Sequence, residues 1–194
     1  MPPNNWDEFY KLTKDKPPSP LLVKAVTHVL HKEAALDMGA GALKDTKYLL
    51  AEGFEQITVL DKEPLTNTDI KELPNDRINF IISSFEDFIF PVSAYNIVNA
   101  QYALPFCSPA SFNAMFENLK KSLKPQGIFT GQFFGTNDEW CGQKPDITFH
   151  NEQEVRALLS DMEIIELEEY DKDSKLANGS PKHWHYFNII AKKI

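Results

Sequence analysis

Five apolar runs of strand length recur along this chain with helix-length sequence between or after them, and that alternation restricts the fold more than any other feature. The runs are Ala34–Met38, Gln56–Asp61, Ile78–Ile82, Tyr95–Ala100 and 128–134. Short apolar runs separated in this way predict a parallel sheet with crossover helices on its faces. Residues 43–52 have helical spacing and stop at Gly53. Ser108-Pro109 opens a second helix, whose Phe112, Met115, Phe116, Leu119 and Leu123 form one apolar stripe before Pro125-Gln126-Gly127 turns the chain into the fifth strand. Ahead of the sheet, residues 5–14 predict a helix. The prolines of Lys16-Pro17-Pro18-Ser19-Pro20 break it, and an amphipathic helix over 20–31 follows, with Ser19 as cap and Pro20 in the first turn. Beyond Gly135 come a polar loop (136–146), an Asn151/Glu154 capping box and a short helix carrying Val155, Leu158 and Leu159. Two long strand candidates, 162–170 and 183–192, close the chain; the hydrophilic stretch 171–181 between them suits an antiparallel hairpin with a mobile loop. The expectation is an α/β fold, a doubly wound, seven-stranded, mostly parallel sheet with one antiparallel strand and helices on both faces.

The first run ends in Asp37-Met38-Gly39-Ala40-Gly41, where glycines let the backbone approach a ligand closely. A strand, a glycine turn and a helix in this order suggest a nucleotide-like ligand, and charge separates the two candidates. A dinucleotide site would need Gly or Ala where Lys44 stands, and a carboxylate at Asp37 would repel a pyrophosphate. The same carboxylate suits an ammonium group, so an adenosyl amino acid such as S-adenosylmethionine fits better. Asp61 closes the second strand 20 residues after Gly41, where it can accept hydrogen bonds from both ribose hydroxyls.

The chain has 194 residues and a net charge of −8 from 20 Lys plus Arg against 28 Asp plus Glu. One domain is expected, an amino-terminal helical cap region (1–33) on a core (34–194). An acidic balance is a poor footprint for nucleic acid. The longest uncharged stretch is interrupted by prolines and polar residues, so no membrane span is expected. Two cysteines without close spacing and no basic-then-apolar amino terminus point to a cytoplasmic protein.

With these motifs in order, the chain resembles the class I S-adenosylmethionine-dependent methyltransferases from about Trp6 to its end. Residues 35–41 are similar to the family's acidic glycine-rich loop, Val59-Leu60-Asp61 to its ribose-binding strand end, and residues 123–129 to its Leu-Lys-Pro-Gly-Gly turn. The Phe133-Phe134-Gly135 and Lys182-His183-Trp184-His185 segments resemble the tellurite-resistance-type subgroup. The resemblance implies a Rossmann-like core that binds S-adenosylmethionine and methylates a small molecule by in-line displacement, acting as a monomer or homodimer. It implies cofactor contacts from Tyr10, Asp37, Gly39, Ala40, Gly41, Asp61, Lys62, Ser84, Phe85 and Asn99, with Ser84 facing the adenine amino group. Three positions depart from the family: Leu43 and Gln126 stand where glycines are frequent, and Ser84 where Asp is. Leu43 is expected to crowd the methionine end of the cofactor.

Methyl transfer from a sulfonium needs alignment more than acid–base chemistry, and positioning alone supplies roughly 7 to 11 kcal/mol. A hydroxyl or carbon acceptor would also want a base, for which His150 is the candidate. Gln101, Tyr102, Trp140, His183 and His185 are the candidate acceptor contacts. His183 and His185 lie two apart on a strand and share a face, with Trp184 on the other; no metal site is expected from them. The alternatives are a non-catalytic adenosyl-binding module and a nicotinamide-dependent oxidoreductase.

Overall fold

The computed structural model describes residues 10, 12–64, 73 and 76–194. Most of the predicted first helix, including Trp6, lies outside the described residues, although Tyr10, Leu12 and Thr13 are helical. The elements are α1 (Pro20–Val26), β1 (Ala34–Met38), α2 (Lys44–Ala51), β2 (Gln56–Asp61), β3 (Ile78–Ile82), β4 (Tyr95–Ala100), a 3₁₀ turn (Leu104–Phe106), α3 (Phe112–Ser122), β5 (Leu123–Gly135), β6 (Phe149–His150), α4 (Glu152–Leu158), β7 (Met162–Lys175) and β8 (Pro181–Lys193).

The sheet order is β3-β2-β1-β4-β5-β8-β7, and the two-residue β6 pairs with the end of β5. All pairings are parallel except those of β8, which runs against both β5 and β7. The expected sheet with one antiparallel strand is therefore present, with β6 as an addition. Its two faces are both dry because alternate residues go to opposite sides. Leu36, Met38, Val98 and Phe129 pack with α3 and α4 on one face, while Ala35, Ile57, Ile97 and Ile128 pack with α1 and α2 on the other. On the first face, Phe116 meets Phe129 and Phe133 edge-on at ring separations of 5.2 Å each. Edge-to-face pairs of this kind add about 0.5–1.5 kcal/mol to the area they bury.

Local differences from the sequence reading have physical causes. The α1 helix ends at Val26, five residues before the predicted limit of 31, and no described helix bridges β3 to β4. The Asn151/Glu154 capping box is complete in both directions. The stretch 171–181 is mostly strand: β7 continues to Lys175 and pairs with β8 as far as Lys175↔Pro181, leaving a turn over 176–180. Polar residues sit comfortably there because Asp171 to Lys175, at the edge of the sheet, are all exposed. Leu43 and Gln126 adopt left-handed φ of 60° and 64°, the backbone state that favours glycine. Leu43 is nevertheless fully buried in the core under α1 and does not border the cavity described below, which corrects the expectation that it crowds a ligand.

Candidate active site

The carboxyl ends of β1, β2 and β4, the turn after β3 and the far end of the β7–β8 hairpin enclose a cavity of about 990 Å³, at the upper end of the volume usual for ligand sites. At the floor of one half lies the glycine turn. Gly39 has φ +64°, and a Cβ there would stand 2.6 Å from the Cβ of Ala103. Gly41 has φ +51°, and a Cβ would stand 3.0 Å from the Tyr10 ring. The turn is thus built to keep side chains out of the space it borders.

Asp37 is 1% exposed. Its Oδ2 accepts the Thr46 hydroxyl at 2.5 Å and its Oδ1 the Asn99 amide at 2.7 Å. Burial, and then the neighbouring Asp45 carboxylate, raise its pKa to about 7 despite those two hydrogen bonds. A carboxyl group held in this way is stabilised in its ionised form by an arriving cation. Asp45 accepts the Ser19 N–H and hydroxyl at 2.7 Å each, and Lys44 reaches the Ser19 hydroxyl at 2.6 Å. The chain before α1 is thereby tied to the first turn of α2. Asp61 accepts the Gly41 N–H at 2.9 Å and the Glu63 N–H at 3.0 Å, with the Tyr10 hydroxyl 3.4 Å from both carboxylate oxygens. The Ser84 hydroxyl donates to Asp87 at 2.8 Å and accepts the Asp87 N–H, which leaves one lone pair for a further donor.

Side-chain amides continue across the sheet. Gln101 donates to the Asn99 carbonyl at 2.9 Å, Gln132 donates to Gln101 at 3.0 Å and to Asn188 at 3.1 Å, and the Tyr102 N–H donates to Gln132 at 2.8 Å. The other half of the cavity is aromatic, with Phe106, Tyr102, Trp140, Tyr170, Trp184 and Tyr186 on its wall. Behind the wall, Lys182 and Asp138 form a buried ion pair at 2.5 Å with side chains 1% and 0% exposed.

Tyr10, Asp37, Gly39, Ala40, Gly41, Asp61, Lys62, Ser84, Phe85, Asn99, Gln101, Tyr102 and Trp140 all border this one cavity. The three histidines do not. His150 is a core residue, its ring 4.6 Å from that of Phe112 and 5.4 Å from that of Phe133, with an unpartnered Nδ1 and a pKa lowered by burial. It packs among core aromatics and is not among the residues that line the cavity. His183 and His185 share a face, as the period of two requires, but that face points away from the cavity and Trp184 takes the inner side. His183 bridges Asp173 and Asp171 at 2.7 Å each, and these carboxylates raise its pKa. The Asn137 N–H donates to His185 Nδ1 at 2.8 Å, so the ring proton is on Nε2, which points to Glu169 at 2.8 Å. Glu169, Asp171 and His185 do converge within 4.8 Å of one another. Both nitrogens of His185 are, however, used in hydrogen bonds, one to Asn137 in the loop after β5 and one to Glu169 on β7. Phe106, Tyr170, Trp184 and Tyr186 are the wall residues that sequence reasoning missed. The signal for two of them was present, since Trp184 and Tyr186 alternate with the histidines along one strand.

The comparisons with known proteins agree with this architecture. Residues 35–127 match the family model described as a methyltransferase domain. No curated protein sequence matches the chain. Among solved structures, the chain is similar to the 1,6-didemethyltoxoflavin-N1-methyltransferase of Burkholderia thailandensis, with TM-score 0.71 and 18% identity over 96% of this chain and 81% of that one. It is also similar to TehB from Haemophilus influenzae, with TM-score 0.76 and 18% identity, covering 97% of this chain and 66% of that one. A third is a putative S-adenosylmethionine-dependent methyltransferase from Listeria monocytogenes, with TM-score 0.68 and 16% identity, covering 90% and 98%.

The family match covers the strands and turns that build the glycine-floored cavity, so this part of the chain carries a methyltransferase domain, on a fold shared with S-adenosylmethionine-dependent methyltransferases. Two of the similar structures are described as S-adenosylmethionine-dependent methyltransferases. No helix among the described residues is long and apolar enough to cross a membrane.

Proposed function

We propose that the chain methylates a small molecule held in the aromatic half of the cavity, with the cofactor in the glycine-floored half. The observation that carries this reading is the cavity itself. Its two chemically distinct halves meet at Asn99, Gln101 and Tyr102, and the tip of the β7–β8 hairpin borders it. That enclosure and the net charge of −8 favour a small acceptor over a nucleic acid.

The donor set fits the cofactor. Asp37 receives the ammonium of the amino-acid tail, and the Thr46 and Asn99 donors hold its carboxylate in register. Asp61 takes the ribose hydroxyls with lone pairs not used by Gly41 and Glu63. Gly39, Ala40 and Gly41 leave backbone where side chains would collide, and Tyr10 and Lys62 border the same space. Ser84 accepts from the adenine amino group, and Phe85 lies beside the ring. When bound, S-adenosylmethionine supplies a sulfonium methyl: the acceptor's lone pair forms the new bond, the C–S pair stays on sulfur, and the acceptor's proton leaves to water. The chain's own contribution is alignment and exclusion of water, since no histidine borders the cavity. His150, His183 and His185 therefore have structural roles in this reading. A single domain in the cytoplasm, as monomer or homodimer, completes it. The two free cysteines, Cys107 and Cys141, suit a reducing compartment.

The test is calorimetry with S-adenosylhomocysteine and NAD in parallel, followed by a screen for S-adenosylhomocysteine release with phenols, aromatic amines, thiols and metalloid oxyanions. Binding of S-adenosylhomocysteine but not NAD, with turnover on a small acceptor, is the expected result. Binding without turnover on any acceptor would refute the small-molecule assignment.

A further inference from the structure

The aromatic half of the cavity has a shape and charge that narrow the acceptor further, an inference that rests on the function proposed above. Tyr102 stands at the junction of the two halves in a left-handed backbone conformation, φ +55°, which a bulky side chain adopts only where surrounding structure enforces it. The enforcement is visible, because the Tyr102 N–H is held at 2.8 Å by Gln132 on β5. The result is a residue that stays 41% exposed while bordering the cavity. It stands edge-on to Tyr186 at 5.3 Å and 82°, and to Trp184 at 6.2 Å and 64°. Tyr170 backs Tyr186 in a parallel stack at 4.7 Å. Rings set at near right angles make a corner, and a corner of this kind offers a flat guest one face-on and one edge-on contact together.

Charge decides what the guest is not. The one buried cation of this half, Lys182, lies 3.8 Å from the centroid of Trp184 and 4.3 Å from that of Trp140. Its three protons go to the two Asp138 oxygens, at 2.6 and 2.5 Å, and to the His183 carbonyl at 3.2 Å. That ammonium has no donor left for an oxyanion. It also occupies one π-face each of Trp184 and Trp140, which a cationic guest would otherwise use. Among the described residues two further charged side chains border this half: Glu139, a carboxylate that opposes anions, and Lys175, a solvated lysine on the exposed end of β7. Burial raises the Tyr102 and Tyr186 hydroxyls above the ordinary tyrosine range, so both stay neutral and able to hydrogen-bond.

We propose that the acceptor is a neutral, planar aromatic or heteroaromatic molecule, stacked on Tyr102 in the corner formed with Tyr186 and Trp184, and that metalloid oxyanions and quaternary ammonium compounds are not accepted. This departs from the acceptor suggested by resemblance to the tellurite-resistance type.

The experiment titrates protein saturated with S-adenosylhomocysteine, following heat and tryptophan fluorescence. The probes are 2-naphthol and indole, against cyclohexanol, phenyltrimethylammonium and tellurite. The two arenes are expected to bind at least about tenfold more tightly than the other three. Tyr102→Ala is expected to weaken 2-naphthol about tenfold while S-adenosylhomocysteine affinity is unchanged. Because Trp184 also packs on Lys182, Trp184→Leu is a secondary variant and the exposed Tyr102 position carries the test. Equal or tighter binding of any of the three non-planar or charged probes, or no effect of Tyr102→Ala, overturns this inference and leaves the cofactor assignment standing. Failure of S-adenosylhomocysteine itself to bind overturns both.

Discussion

The buried carboxyl of Asp37 makes cofactor affinity depend on pH in a calculable way. In the free protein its pKa is raised to about 7, by burial first and the Asp45 carboxylate second. In the proposed complex the cofactor's ammonium lies against it, which would favour the ionised form. The ligand therefore binds the deprotonated protein, and the apparent Kd scales inversely with the ionised fraction. Between pH 7.5 and pH 6 that fraction falls about eightfold, so the Kd for S-adenosylhomocysteine rises about eightfold, roughly 1.3 kcal/mol. Calorimetry in two buffers of different ionisation enthalpy measures the Kd and the proton released on binding at the lower pH. Asp45→Asn removes the repelling neighbour and moves the midpoint of this dependence to lower pH, while Asp37→Asn abolishes the dependence and weakens binding throughout. Stability follows the opposite sense. With its folded pKa raised, Asp37 keeps its proton where the unfolded chain has lost one, so its contribution falls as pH rises from about 4 to about 7 and is flat above. An unchanged Kd across this pH range, or the same slope in Asp37→Asn, would refute the assignment of Asp37 to the ammonium.

Gly39→Ala puts a Cβ 2.6 Å from that of Ala103 at φ +64°, so it is expected to destabilise the fold by about 1–3 kcal/mol in urea unfolding and to weaken S-adenosylhomocysteine binding; unchanged stability would contradict the contact. His150→Phe is expected to leave turnover within about twofold and to alter stability by less than about 1.5 kcal/mol, since the ring lies between Phe112 and Phe133. Because burial lowers the pKa of His150, wild-type stability loses an increment as pH falls below about 6.5, and the variant should lack that loss in parallel melts. Lys182→Met leaves Asp138 buried without its cation and is expected to cost about 3–5 kcal/mol, whereas the paired Lys182→Met and Asp138→Leu variant recovers much of it. A loss in the double variant equal to the sum of the losses of Lys182→Met and Asp138→Leu alone, measured by denaturant unfolding, would show that the pair is not coupled.

Much of the fold was legible along the chain because both signals involved are local. Alternating apolar runs identified β1 to β5 and the closing hairpin, and a carboxylate before a glycine turn with a second one ending the next strand picked out residues that border one half of the cavity. A left-handed turn and a strand end are set by a few adjacent residues, so their chemistry can be read in sequence. The acceptor half was not local. A period of two states that His183 and His185 share a side and Trp184 and Tyr186 share the other, but not which side meets the cavity; pairing of β8 between β5 and β7 decided that and put the aromatics inside. In the same way His150 follows a polar loop, as a catalytic residue would, and only the packing of α3 against β5 closed Phe112 and Phe133 around it. Asn99 was legible as a strand-end residue, while its grip on Asp37 required β4 to lie beside β1. Sequence determined which residues carry chemistry near a strand end, because that depends on neighbours in the chain. Tertiary structure decided which of them face one another, because that depends on strand order and on which face each helix covers.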